Sequence, residues 1–143
     1  MPEYRYAKGR IAESVQFISA EMKEFDTEYA DKGWKKYKED TKLQKLIDRT
    51  VENILTALIE ICGTILTEEC IAVESYANTL EKCSRLFGFT KEQQEKLAKL
   101  AVQRNRFAHR YLNFRWQAVK MFSDYKKLVS DLLTKVIKRE EKR

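Results

Sequence analysis

The sequence holds one histidine, four glycines, one proline and three cysteines among 143 residues. Each scarcity removes a class of chemistry. One His per chain cannot build a three-histidine zinc site, an HExxH helix or a two-histidine acid–base pair, although a homodimer would own two. Four glycines leave no room for a P-loop or a GxGxxG phosphate cradle. Cys62, Cys70 and Cys83 are odd in number and lack CxxC spacing, so neither a disulfide framework nor a zinc knuckle is indicated. They suit reduced, buried, small apolar side chains in a cytoplasm. MPEYRYAKGR has no apolar h-region, and no run approaches about 18 uncharged apolar residues. The expectation is no secretion signal, no membrane partner and a cytoplasmic location.

Charge and helical periodicity are what the chain does have. Lys and Arg number 28 against 22 Asp and Glu, a formal net charge of +6. That balance either keeps a small protein soluble or favours an anionic partner, nucleic acid first. Acidic residues are interspersed among the basic ones, so no long positive block forms. Hydrophobic residues make up 43%, enough for the core of a single domain over 1–143.

Apolar residues recur at helical spacing along most of the chain, and no long stretch alternates with period two. Ile11, Val15, Ile18, Met22 and Phe25 draw one stripe down a first helix. Residues 26–40 read as a charged connection with room for one frayed turn. Trp34 and Tyr37 there are either a stacking platform for bases or a lid on the core. From Thr41 to Leu66 a broad apolar face predicts a central bundle helix. A third helix over 70–87, carrying Val73, stops at Gly88 as a left-handed cap. Thr90-Lys-Glu-Gln93 is a capping box that opens a fourth helix running through Phe107 and Ala108. A fifth begins near Trp116 and ends in a solvated tail, 138–143. The expected fold is all-α, an up-and-down helical bundle of four to five helices.

The one imidazole lies in Arg104-Asn105-Arg106-Phe107-Ala108-His109-Arg110-Tyr111. Imidazole takes or gives a proton near neutral pH, and a guanidinium grips phosphate and stabilises charge growing on its oxygens. RNA carries its own nucleophile in the 2′-OH, so strand cleavage needs a base, an acid and a phosphate clamp, and no metal. On an ideal helix Arg104 and His109 stand about 140° apart, whereas Arg104, Ala108 and Tyr111 share a face. A joint site therefore needs a helix loosened near His109, or a second subunit whose motif completes it. The plainer alternative is a basic helix end whose His favours the helix dipole.

R-N-R-F-A-H-R-Y matches the RxxxxHxY form of the HEPN-domain motif, with a polar residue directly after the Arg. The sequence resembles HepT-type toxins, the minimal HEPN ribonucleases of prokaryotic toxin–antitoxin pairs. The likeness extends to DRTVENILTALIEICGTIL and SYANTLEKCSRLFGF, and so covers nearly the whole chain. It implies Arg104 and His109 as the catalytic pair and Asn105 as a supporting polar residue. Tyr111 would be the tyrosine that an MNT-type nucleotidyltransferase antitoxin modifies with AMP. The resemblance further implies a homodimer with both motifs lining one cleft. Cleavage would need no metal or cofactor and leave a cyclic phosphate and a 5′-hydroxyl. Arg106, Arg110 and Arg115, and more weakly Arg49, would dock the RNA backbone. The competing expectation is a non-catalytic helical partner, or nucleotide-binding subunit, of an MNT-type nucleotidyltransferase.

Overall fold

A computed structural model describes the backbone of residues 2–142 and the side chains of residues 9–142. Met1 and Arg143, the last residue of the expected tail, lie outside the described residues. Six α-helices and no strand occur among the described residues, and the fold is the all-α bundle that the periodicity predicts.

Helix α1 (Pro2–Glu24) lays Ile11, Val15 and Ile18 on the core. It runs directly into a π-helical turn, Phe25–Tyr29, whose wider spacing turns both terminal rings inward. Phe25 meets Phe122 edge to face at 5.0 Å. Residues 26–40 are more ordered than a charged connection. They contain a short helix, α2 (Trp34–Glu39), and its Tyr37 is 0% exposed. Trp34 and Tyr37 stack with Trp116 at ring distances of 5.9 and 5.0 Å, so they seal the core and offer no platform to bases. One aromatic per turn among lysines is too sparse a stripe to register as a buried helix in sequence.

Asp40 caps α3 (Thr41–Glu68), its carboxylate accepting from the Leu43 N–H at 3.0 Å. Helix α3 is central and touches α1 and every helix introduced below. Among the described residues it is the one helix long and apolar enough to cross a membrane. Within the bundle that apolarity is largely consumed by packing: Val51, Ile54, Leu55, Leu58, Ile65 and Leu66 are all fully buried.

The expected third helix starts late. Cys70 takes a left-handed backbone, φ 59°, and the Ile71 N–H returns to the Leu66 carbonyl at 2.8 Å, ending α3. Ser75 then caps α4 (Tyr76–Leu86), accepting from the Asn78 N–H at 3.0 Å, and Val73 is left exposed between them. Cys70 is accordingly exposed, against expectation, while Cys62 and Cys83 are buried. A Cβ in the left-handed region costs about 1–2 kcal/mol, so Cys70→Gly should stabilise the fold by roughly 0.5–1 kcal/mol. A denaturant midpoint that stays put or falls would contradict the strain at this position.

Gly88, φ 84°, ends α4 as expected. The Thr90–Gln93 capping box is also in place: the Thr90 hydroxyl accepts from the Gln93 N–H at 3.2 Å, and the Gln93 side chain accepts from the Thr90 N–H at 2.9 Å. Helix α5 (Lys91–Gln103) packs back on α4. It stops five residues short of the predicted end, and α6 (Leu112–Glu141) begins four residues early. The tail is only partly solvated. Arg139 pairs with Glu68 and Glu69 at 3.2 Å and with Glu140 at 2.6 Å, tying the end of α6 to that of α3.

Candidate active site at the Arg104–His109 turn

Helix α5 loses its α geometry at the first residue of the motif. Arg104–Ala108 form a 3-10 turn, the tighter winding that commonly finishes a helix, and the His109 N–H closes it on the Arg106 carbonyl at 3.1 Å. His109 itself is extended, φ −86° and ψ 147°. Phe107 packs against the core from within this turn, which anchors it while the polar residues stay outside. Arg104, Ala108 and Tyr111 therefore do not share a helix face. The helix that would align them ends at Gln103, and the next starts after Tyr111.

Arg104 is half-buried and held at two points. Its Nε donates to the Thr56 hydroxyl at 2.9 Å, and its guanidinium lies 5.4 Å from the centre of the Tyr76 ring. Neither partner stands out in sequence, since both are distant in the chain; the one cue is a polar Thr56 inside the apolar run of α3. Beyond Thr56 opens a groove of about 500 Å³ between α1 and α3, walled by Glu13, Glu52 and Glu60. None of these carboxylates forms an ion pair with Arg104, so the guanidinium keeps its charge available.

His109 is exposed and stands apart from that groove. Its ring meets Phe114 edge-on at 5.7 Å, Tyr111 meets the same ring at 5.6 Å, and the Arg106 guanidinium lies 5.4 Å from its centre. Phe114, on the first turn of α6, thus gathers three motif residues around one exposed ring. Sequence reasoning overlooked it because an apolar residue at a helix start reads as core. Within the chain no hydrogen bond joins Arg104 to His109: Arg104 contacts Thr56 of α3 and Tyr76 of α4, His109 contacts Phe114 of α6.

The remaining expected residues separate into two groups. Asn105 and Arg110 are exposed, and Arg106 is half-buried and bonded to the Gln117 side chain. Arg115 donates to Asp48 at 2.9 Å beneath the motif, locking α6 to α3. Tyr37 donates to the other oxygen of the same carboxylate at 2.6 Å. Burial pushes the Asp48 carboxyl above the usual carboxylate range, against the opposing pull of Tyr37 and Arg115, and burial likewise raises the Tyr37 phenol. Arg49 is exposed and faces α1 near Glu21, whose carboxyl is raised by burial and by Glu24 against the weaker pull of Asn53 and Arg49. It stands two turns of α3, about 10 Å, from Thr56. Among the described residues no group of three His, Cys, Asp or Glu is placed to hold a metal ion.

A family model described as Ribonuclease HepT-like matches residues 13–137, which span the motif turn and every helix except the ends of α1 and α6. The chain belongs to the HepT-like ribonuclease family. No curated protein and no solved structure matches it. In this HepT-like bundle of the HEPN type, the motif turn combines a fixed guanidinium with an exposed imidazole. Such a pair can clamp a phosphate and exchange a proton with an adjoining hydroxyl.

Proposed function

We propose that this HepT-like chain is an endoribonuclease toxin that works without a metal, as a homodimer, and is restrained by an MNT-type nucleotidyltransferase antitoxin. The observation that carries the reading is the break at Arg104. A continuous helix would bury part of the motif; the 3-10 turn instead leaves His109 in solvent while Thr56 and Tyr76 hold Arg104. His109 removes the 2′-OH proton, and the oxygen attacks the adjacent phosphorus. Arg104 neutralises charge on the non-bridging oxygens. The P–O5′ bond breaks, and His109 of a second copy protonates the departing 5′ oxygen. The products are a 2′,3′-cyclic phosphate and a 5′-hydroxyl. Two motifs facing one another supply the second imidazole that one chain lacks.

The test is cleavage of an oligoribonucleotide in EDTA, with end-group analysis. A single 2′-deoxy substitution at the cut position should abolish the cut. Intact RNA with well-folded protein would instead favour the non-catalytic partner of a nucleotidyltransferase.

Tyr111 supports the regulatory half of the proposal. It is 68% exposed beside Phe114 and His109, where an attached AMP adds bulk and negative charge at the place a phosphate must enter. Incubated with ATP and the cognate nucleotidyltransferase, the parent should gain AMP mass and lose cleavage. Tyr111→Phe should do neither. Equal labelling of the two would remove Tyr111 from the account.

A further inference from the structure

The opposite flank of the motif turn holds a cavity that the catalytic reading does not use. It lies between the end of α5 and the second to fourth turns of α6, with a volume of about 430 Å³, within the range of small-ligand sites. Trp116 and Tyr125 supply aromatic walls, Gln103 and Gln117 supply amides, and Arg106 brings positive charge, while Lys120 is paired with Asp124 of the same lining at 3.1 Å. Trp116 is fixed from behind by Trp34 and Tyr37, so it presents a rigid surface.

The two amides are left in complementary states. Gln117 accepts from Arg106 through its carbonyl oxygen, which leaves its NH2 as a donor. Gln103, which lines the cavity, donates to the Lys99 carbonyl at 3.3 Å, and its buried Oε1 has no hydrogen-bond partner. Buried acceptors are rarely left so, and an orphan acceptor in a cavity wall is a ligand signal. A flat heterocycle with a donor and an acceptor on one edge, attached to an anion, satisfies all three features: the aromatic walls, the paired amides and the Arg106 guanidinium.

We infer that this cavity holds a nucleobase of the RNA next to the scissile phosphate, with Gln117 and Gln103 reading its edge and Trp116 stacking on its face. Arg106 links the two sites. It belongs to the motif turn and bonds Gln117 on the cavity wall, while Arg104 faces the other side of the same turn. A strand crossing the turn places a phosphate at the motif and a flanking base in the cavity. The RNA part of this inference rests on the ribonuclease reading; the base-binding part does not.

Two measurements separate them. In the first, the chain is titrated with the four nucleoside 3′-monophosphates and with ribose 5-phosphate, following emission of its two tryptophans. Saturable quenching by nucleotides and none by the sugar phosphate is expected. Gln117→Leu, at an exposed position with no core role, should raise the dissociation constant at least tenfold. Equal response to ribose 5-phosphate, no saturable response, or equal affinity in Gln117→Leu would each overturn the cavity assignment. Binding confined to adenine nucleotides, with no effect on which RNA is cut, would assign the cavity to adenylate and overturn the RNA-base reading. In the second, oligoribonucleotides differing only in the base flanking the cut are compared. The parent should prefer one base at least tenfold, and Gln117→Leu should lose most of that preference. Cleavage without any preference sinks the inference and spares the ribonuclease. Nucleotide binding with no cleavage of any RNA sustains the cavity and sinks the ribonuclease.

Discussion

His109→Ala should lose metal-free RNA cleavage by roughly 10²–10⁴-fold, the range for removing a positioned acid–base group. The side chain is exposed and its contact is an edge-on packing against Phe114, so truncation changes stability by only about ±0.5 kcal/mol. The loss is then chemical. Arg104→Ala should fall by about 10²–10³-fold through lost stabilisation of the phosphate oxygens. The proposed dimer allows a sharper experiment than either variant alone. Arg104 and His109 do not bond within a protomer, and the proposed cleft draws on two copies. Mixed dimers of parent and His109→Ala chains keep one imidazole of the two and should therefore cleave far below half the parental rate. Half-parental cleavage in a mixture shown to exchange subunits would mean that each chain works alone. Undiminished cleavage by His109→Ala would remove the imidazole from the mechanism.

The second large effect concerns stability. Asp48→Ala should destabilise the chain by about 2–4 kcal/mol, read as a lowered denaturant midpoint. Asp48 is 8% exposed and receives both the Tyr37 hydroxyl and the Arg115 guanidinium. Truncation strands a buried phenol and a mostly buried cation, which is the costly way to break such a set. Arg115 retains some access to water, which keeps the figure below the full penalty for breaking a sealed pair. Asp48→Asn keeps the shape and one acceptor and should cost less. It also tests the direction of the pH dependence. Burial raises the carboxyl above its unfolded value, so the folded chain holds this proton longer than the unfolded one. That contribution is fully present below the unfolded value and is lost as pH rises through the folded one. Asp48→Asn should flatten this decline in mildly acidic solution. A steeper decline would mean that Arg115, not burial, dominates the site. Because Arg115 lies four residues beyond Tyr111, loosening the pair should also loosen the turn that presents His109.

The parts legible in sequence were those governed by local rules. Helical periodicity set the all-α class, and the Thr90–Gln93 box and Gly88 set one boundary to the residue, because capping chemistry is complete within a few neighbours. The RxxxxHxY pattern is legible for the same reason: its spacing is local. Other boundaries were missed where a local signal was weak or atypical. A cysteine at 70 did the work usually left to glycine, and α2 carried too few apolar residues to show a stripe.

Alone, then, the sequence determined the helical class, the richest boundary and the family motif. Tertiary structure decided what each arginine does. Arg104 is fixed by Thr56 and Tyr76, Arg106 by Gln117 and Phe114, and Arg115 by Asp48, partners up to 67 residues away. All three carry the same charge in the same short stretch, so composition and spacing cannot tell them apart. The difference lies in which wall of the bundle each side chain meets, and that is set by the early end of α5 and by the packing of α6 against α3.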